Sequence, residues 1–178
     1  HGLEGTGVLY VRESIRLSPL FSGGNQERRL RSGTENVAGA VSCAKALRMS
    51  YEAMQQNGGE LAQIQAFLRK ELEKVDGVVI NSPENYCAPH ILNFSVPKVK
   101  SEVLVHALEN KQVYVSTTSA CSSKQKSFSD TILMMTDDEE RAISSIRISL
   151  SYENTIEEAK QFIVDLKIVL GNLKEVMR

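Results

Sequence analysis

Ser145-Ile146-Arg147-Ile148-Ser149-Leu150 is the stretch whose reading decides the fold. It alternates without a break, which puts Ile146, Ile148 and Leu150 on one face of a strand and Ser145, Arg147 and Ser149 on the other. Shortly after it, Thr155-Ile156-Glu157-Glu158 has the spacing of a capping box. Ala159, Phe162, Ile163, Leu166, Val169, Leu170 and Leu173 then recur at helical steps, so a half-buried strand hands over to an amphipathic helix.

The same alternation of types runs back along the chain. His90, Leu92, Phe94 and Val96 share one face of an expected strand, with Ile91, Asn93 and Ser95 on the other. Ser101 can cap a helix carrying Val103, Leu104, Ala107 and Leu108. Val113-Tyr114-Val115 reads as a strand, Val78-Val79-Ile80 as a shorter one and Gly7–Arg12 as a third. Thr136-Asp137-Asp138-Glu139 fits a capping box with a short helix behind it, and Ser122–Asp130 reads as a polar loop. One helix is expected to begin near Thr34, striped by Val37, Ala40, Val41, Ala44, Leu47, Tyr51 and Met54, and to end at Asn57-Gly58-Gly59. A second carries Leu61, Ile64, Leu68, Leu72 and Val75. The expected class is α/β, in the α+β sense: a short mixed or antiparallel sheet flanked by helices.

Composition excludes several functions. Over 178 residues, 21 basic and 22 acidic side chains nearly cancel, so no polyanion such as nucleic acid is implied as a partner. No apolar run approaches the ~18 residues that a bilayer span requires. Three widely spaced cysteines, Cys43, Cys87 and Cys121, suit neither a disulfide framework nor a zinc site, and point to a reducing, cytoplasmic compartment.

Four places can carry chemistry. Cys121 lies in Ser116-Thr117-Thr118-Ser119-Ala120-Cys121-Ser122-Ser123, among small hydroxylated residues where a thiol can meet a substrate. The same setting also suits an inert loop thiol. Arg147 on its polar strand face can fork onto a carboxylate, or can simply be solvated. Gly23–Thr34, rich in glycine and arginine, can bind phosphate through backbone N–H groups and the Thr34 hydroxyl, or serve as a solvated connection. His90, His106 and Cys43 fall at positions patterned for packing.

In chain order these pieces resemble one family. Gly23-Gly24-Asn25-Gln26-Glu27-Arg28 with Arg31-Ser32-Gly33-Thr34-Glu35-Asn36 resembles the G-G-x-Q-E-x-x-x-R-S-G-T-x-N signature of cysteine desulfurases, pyridoxal-phosphate enzymes of the class V aminotransferase group. Ser119–Ser123 resembles their catalytic loop, Ser144–Leu150 their substrate-carboxylate strand, and Pro89–Ser95 a further matching strand. The long interval between Cys121 and Arg147 resembles the NifS and IscS type.

The resemblance implies that Cys121 attacks the sulfur of L-cysteine, becomes a persulfide and passes sulfur to an acceptor protein such as an iron–sulfur scaffold or a tRNA-thiolation enzyme. It further implies that Arg147 and Asn93 bind the substrate, and that Thr34 reaches the cofactor phosphate of the other subunit in a homodimer. Residues 1–33 would be a remnant of the large cofactor-binding domain and 34–178 the small domain of a fold-type I enzyme. His1-Gly2 resembles the end of the family's S-x-H-K-x-x-G pattern, so the Schiff-base lysine is expected immediately upstream, and this piece alone is expected to be inactive. Thr118 stands where the family usually has glycine. Two other readings remain: a related class V lyase such as a selenocysteine lyase, or a non-catalytic domain for dimerisation or acceptor docking.

Overall fold

The computed structural model describes residues 2–117 and 128–176. They fall into two compact units, His1–Gln56 and Asn57–Arg178. The second unit holds a four-stranded, wholly antiparallel sheet in the order β1-β2-β4-β3, from β1 (Val79–Ile80), β2 (Ile91–Ser95), β3 (Ser116–Thr117) and β4 (Ser145–Ser149). Its helices are the end of α1 (Val37–Leu72), then α2 (Ser101–Glu109), α3 (Asp130–Thr136), α4 (Glu139–Ile143) and α5 (Ile156–Val176). This is the α/β class, with a short antiparallel sheet and flanking helices, that the alternation in the sequence implies.

The core forms where the periodicities meet. Leu92 and Phe94 of β2 and Ile146 and Ile148 of β4 face the helices, and all four are buried. Ile64, Leu68 and Leu72 of α1 and Phe162, Leu166 and Leu170 of α5 join them in one core, each helix offering a stripe of three- and four-residue steps. At the start of α5 the capping box is complete in both directions. The Glu158 N–H donates to Thr155 Oγ1 at 3.2 Å, and the Thr155 N–H donates to Glu158 Oε2 at 2.8 Å. That second bond, to the backbone N–H of Thr155, is the main reason the Glu158 carboxyl sits below the usual glutamate pKa.

Several expectations are corrected. One continuous helix, α1, runs through Asn57-Gly58-Gly59 rather than stopping there. A glycine inside a helix costs only ~1 kcal/mol relative to alanine, and the good helix formers on both sides outweigh it. The helix starts at Val37, not Thr34, because Asn36 is its cap, its Oδ1 accepting from the Gly39 N–H at 3.0 Å. Val37, Val41, Leu47, Tyr51 and Met54 lie on this helix as expected, yet all are exposed. Residues 7–12 form no strand. Ladder pairing near Val113–Val115 begins only at Ser116; Val113 and Val115 instead pack on the core after a turn in which Gln112 takes φ 60°.

The helix caps also shift. Ser101 is a buried first-turn residue, and Lys100 occupies the cap position. Thr136 closes α3 rather than opening a helix, while Asp138 caps α4 through its Oδ1, which accepts from the Arg141 N–H at 3.0 Å.

Two outcomes follow from these elements. A Cβ at Gly58 or Gly59 would meet open space, so Gly58→Ala and Gly59→Ala should each stabilise by about 0.5–1 kcal/mol in urea unfolding. Thr155→Ala should destabilise by about 1 kcal/mol. The contribution of the Glu158 charge has a defined sign. Its pKa is lower folded than unfolded, so the stabilisation is present above the unfolded value and disappears as pH falls through the folded one. Urea midpoints of wild type and Glu158→Gln should therefore differ at neutral pH and converge on acidification.

Candidate active site

A row of polar residues crosses the sheet of the second unit. In the β2–β4 register Asn93 is the partner of Arg147, and in the β3–β4 register Ser116 is its partner on the other side. Directly opposed residues of an antiparallel pair present their side chains on the same face. Arg147 therefore stands between Asn93 and Ser116 on the face away from the Leu92–Phe94–Ile146–Ile148 core. Arg147 itself is exposed and Ser116 half-buried. A guanidinium at this position has its planar fork available for a carboxylate.

Asn93 is 8% exposed and tied into a network that sequence reasoning missed. Continuing the β1–β2 register brings Asn81 beside it. Asn81 Nδ2 donates to Asn93 Oδ1 at 2.7 Å and to Ser95 Oγ at 2.6 Å. Arg141, on α4, donates to Asn81 Oδ1 through Nε at 3.1 Å and Nη2 at 2.7 Å, and through Nη2 to the Ile80 carbonyl at 3.2 Å. Ser95 Oγ in turn donates to the Arg141 carbonyl at 2.7 Å. Asn81 precedes Arg141 by 60 positions in sequence, so no local pattern could have signalled the pair.

Cys121 lies outside the described residues. Its attachment is described: β3 ends at Thr117, four residues before it. A chain of that length reaches at most ~14 Å, which keeps Cys121 tethered to the strand that pairs with Arg147.

The first unit holds the glycine-rich segment. Gly33 adopts φ +111°, a conformation suited to glycine, and its N–H donates to Gln26 Oε1 at 3.3 Å. Glu27, Arg28 and Arg29 all carry positive φ, a costly run for residues with side chains. The Arg31 guanidinium lies over the Phe21 ring at 5.6 Å from its centroid. Thr34, exposed, lines a cavity of about 450 Å³ together with Gly33, Arg31, Asn36, Glu27 and Glu35. The Thr34 hydroxyl and Arg31 are donors suited to a phosphate, and the two carboxylates partly offset them.

The Aminotransferase class-V family matches residues 1–162. The chain belongs to this family. Among its relatives, a NifS/IcsS protein homolog of Lactobacillus delbrueckii subsp. bulgaricus is 40% identical over 164 residues, 92% of this chain and 43% of that protein. A putative cysteine desulfurase IscS 1 of Bacillus subtilis is 37% identical over 163 residues, 90% of this chain and 43% of its own. A solved NifS-like protein superposes with a TM-score of 0.75 at 31% identity, over 91% of this chain and 41% of that one. A NifS-like protein from Rickettsia africae gives 0.72 at 26% identity, over 88% and 41%. The chain thus spans less than half the length of these relatives.

Within this class V chain the remaining candidates separate. His90 and His106 are exposed rather than packed; the His106 ring lies 2.9 Å from Glu109 on the helix surface. Their apolar-patterned positions fall where the strand and helix reach solvent. Cys43 is half-buried on α1, and Cys87, also half-buried, lies 3.6 Å from the Gln65 amide. Among the described residues no cluster of His, Cys, Asp and Glu could hold a metal, and no helix is long and apolar enough to cross a membrane. Because Arg147 is exposed and outside the core, Arg147→Met should shift unfolding free energy by less than about 0.5 kcal/mol, a value that urea titration can check before any functional assay.

Proposed function

We propose that this chain is part of a cysteine desulfurase, which removes sulfur from L-cysteine to leave L-alanine and carries that sulfur as a persulfide on Cys121. The observation that carries the reading is the position of Arg147 between Asn93 and Ser116, on the strand beside the one that leads to Cys121. Substrate recognition and the sulfur-accepting thiol thereby emerge from neighbouring strands of one sheet. The names of the relatives, NifS and IscS among them, support the same reaction.

On this reading Arg147 forks onto the substrate carboxylate, and Asn93 beside it donates from its amide. Both hold the amino acid in one orientation, which lowers the entropic cost of bringing two sulfurs together. Cys121 acts as a thiolate. Its sulfur forms a bond to the substrate sulfur while the substrate's carbon–sulfur bond breaks, the carbon keeps the bonding pair, and a proton completes alanine. Pyridoxal phosphate, when bound, supplies the electron sink that makes that carbon able to accept the pair. The Thr34 hydroxyl, with Arg31 near it, is the part of this chain suited to the cofactor phosphate, from the other subunit of a homodimer. Residues 1–33 belong on this reading to the large domain and 34–178 to the small one. The persulfide then passes to an acceptor protein, in the cytoplasm.

In the full-length protein, Cys121→Ser should abolish persulfide formation and sulfide release from L-cysteine while leaving the cofactor's absorbance band in place. Undiminished sulfide release would overturn the assignment. Arg147→Met should raise KM for L-cysteine by about tenfold or more, the loss expected for a charged hydrogen-bonded pair.

A further inference from the structure

We infer that Arg141 is a positioning residue that sets the hydrogen-bond polarity of Asn93, so that Asn93 meets a carboxylate as a donor. The inference rests on the reading of Arg147 as the carboxylate fork. Its starting point is that a guanidinium can only donate. Arg141 places Nε and Nη2 on Asn81 at 3.1 and 2.7 Å, so the atom of Asn81 that meets them must be the oxygen. The Asn81 carboxamide cannot then be reversed, and its NH2 must face Asn93 and Ser95, at 2.7 and 2.6 Å.

The same logic passes one residue further. An NH2 group cannot accept, so Asn93 must turn its oxygen toward Asn81, and its own NH2 is directed the other way. Asn93 Nδ2 makes no hydrogen bond among the described residues, whereas its Oδ1 does. No buried side-chain nitrogen or oxygen among the described residues lacks a partner, so this NH2 touches solvent. It is an unspent pair of N–H donors on the residue directly opposite Arg147. An amide oxygen in that place would repel a carboxylate; an amide NH2 adds donors to those of the guanidinium. Ser95 does not weaken the relay, because its hydroxyl is already oriented by donating to the Arg141 carbonyl at 2.7 Å. Arg141 thus anchors both ends of the network without touching the substrate.

The deciding variant is Asn81→Asp in the full-length protein. An aspartate keeps the contact to Arg141 and strengthens it by charge, but has nothing to donate. Asn93 must then give its NH2 to Asp and present its oxygen beside Arg147. KM for L-cysteine should rise about tenfold or more, with kcat changed much less. In side-chain amide NMR spectra the Asn93 NH2 pair should shift on titration with L-alanine in wild type and cease to respond in Asn81→Asp. The companion pair is Arg141→Met and Arg141→Lys: Met releases the orientation and should raise KM, whereas Lys, also donor-only, should retain the wild-type value. Wild-type KM and L-alanine response in Asn81→Asp, or equal behaviour of Met and Lys, would overturn the inference. Neither result would touch the desulfurase reading, which stands or falls on Cys121→Ser.

Discussion

The pairing of β2 with β4 is the constraint on which the rest depends. Five consecutive residue pairs, Ile91↔Ser149 through Ser95↔Ser145, lie in one antiparallel register. Because side chains alternate, a slip of one residue would exchange the faces of a strand completely. A slip of β2 would take Leu92 and Phe94 away from the helices and put Asn93 into the core; a slip of β4 would do the same with Ile146, Ile148 and Arg147. The apolar face holds the register by burial, and the register in turn builds the polar row. Core and site are two faces of a single pairing, so neither can be optimised without the other.

The polar face shows why buried amides need a fixed reference. An asparagine can be reversed at little steric cost, and a row of them has two opposite hydrogen-bond senses of similar shape. A group that only donates removes that ambiguity. In this structure the reference lies on α4, whose cap is Asp138 and whose Ala142 is buried. A helix of five residues thereby reaches β1 and Asn81 through one guanidinium.

Much of this was legible in the sequence, for reasons that can be named. The strict alternation of Ser145–Leu150 and the spacing Thr155–Glu158 identify β4 and the start of α5, because both depend on residues a few positions apart. The stripe Leu61–Leu72 identifies the buried half of α1 for the same reason. The end assigned at Asn57-Gly58-Gly59 failed because helix propensity is a sum over neighbours, and two glycines were outweighed. The α3 helix, seven residues long, is too short to show a helical stripe, and its cap is Ser129. Among candidate site residues, Arg147 could be placed from alternation alone, while its neighbour Asn93 drew attention only through family resemblance. Asn81 and Arg141 left no trace, since their meeting is a product of tertiary folding.

The attachment of residue 121 has one more consequence. Thr117 is fixed by its pairing with Ile146, and Ser129 by its N–H to the Ala142 carbonyl and by burial. By chain length alone, the Cα of a residue four positions beyond Thr117 lies within a sphere of roughly 14 Å radius about it. One thiol in that volume corresponds to a local concentration on the order of 0.1 M. Any electrophile held within that sphere meets this thiol at a level that no small-molecule thiol in bulk solution need match, and the anchoring strand sets that advantage through tether length alone.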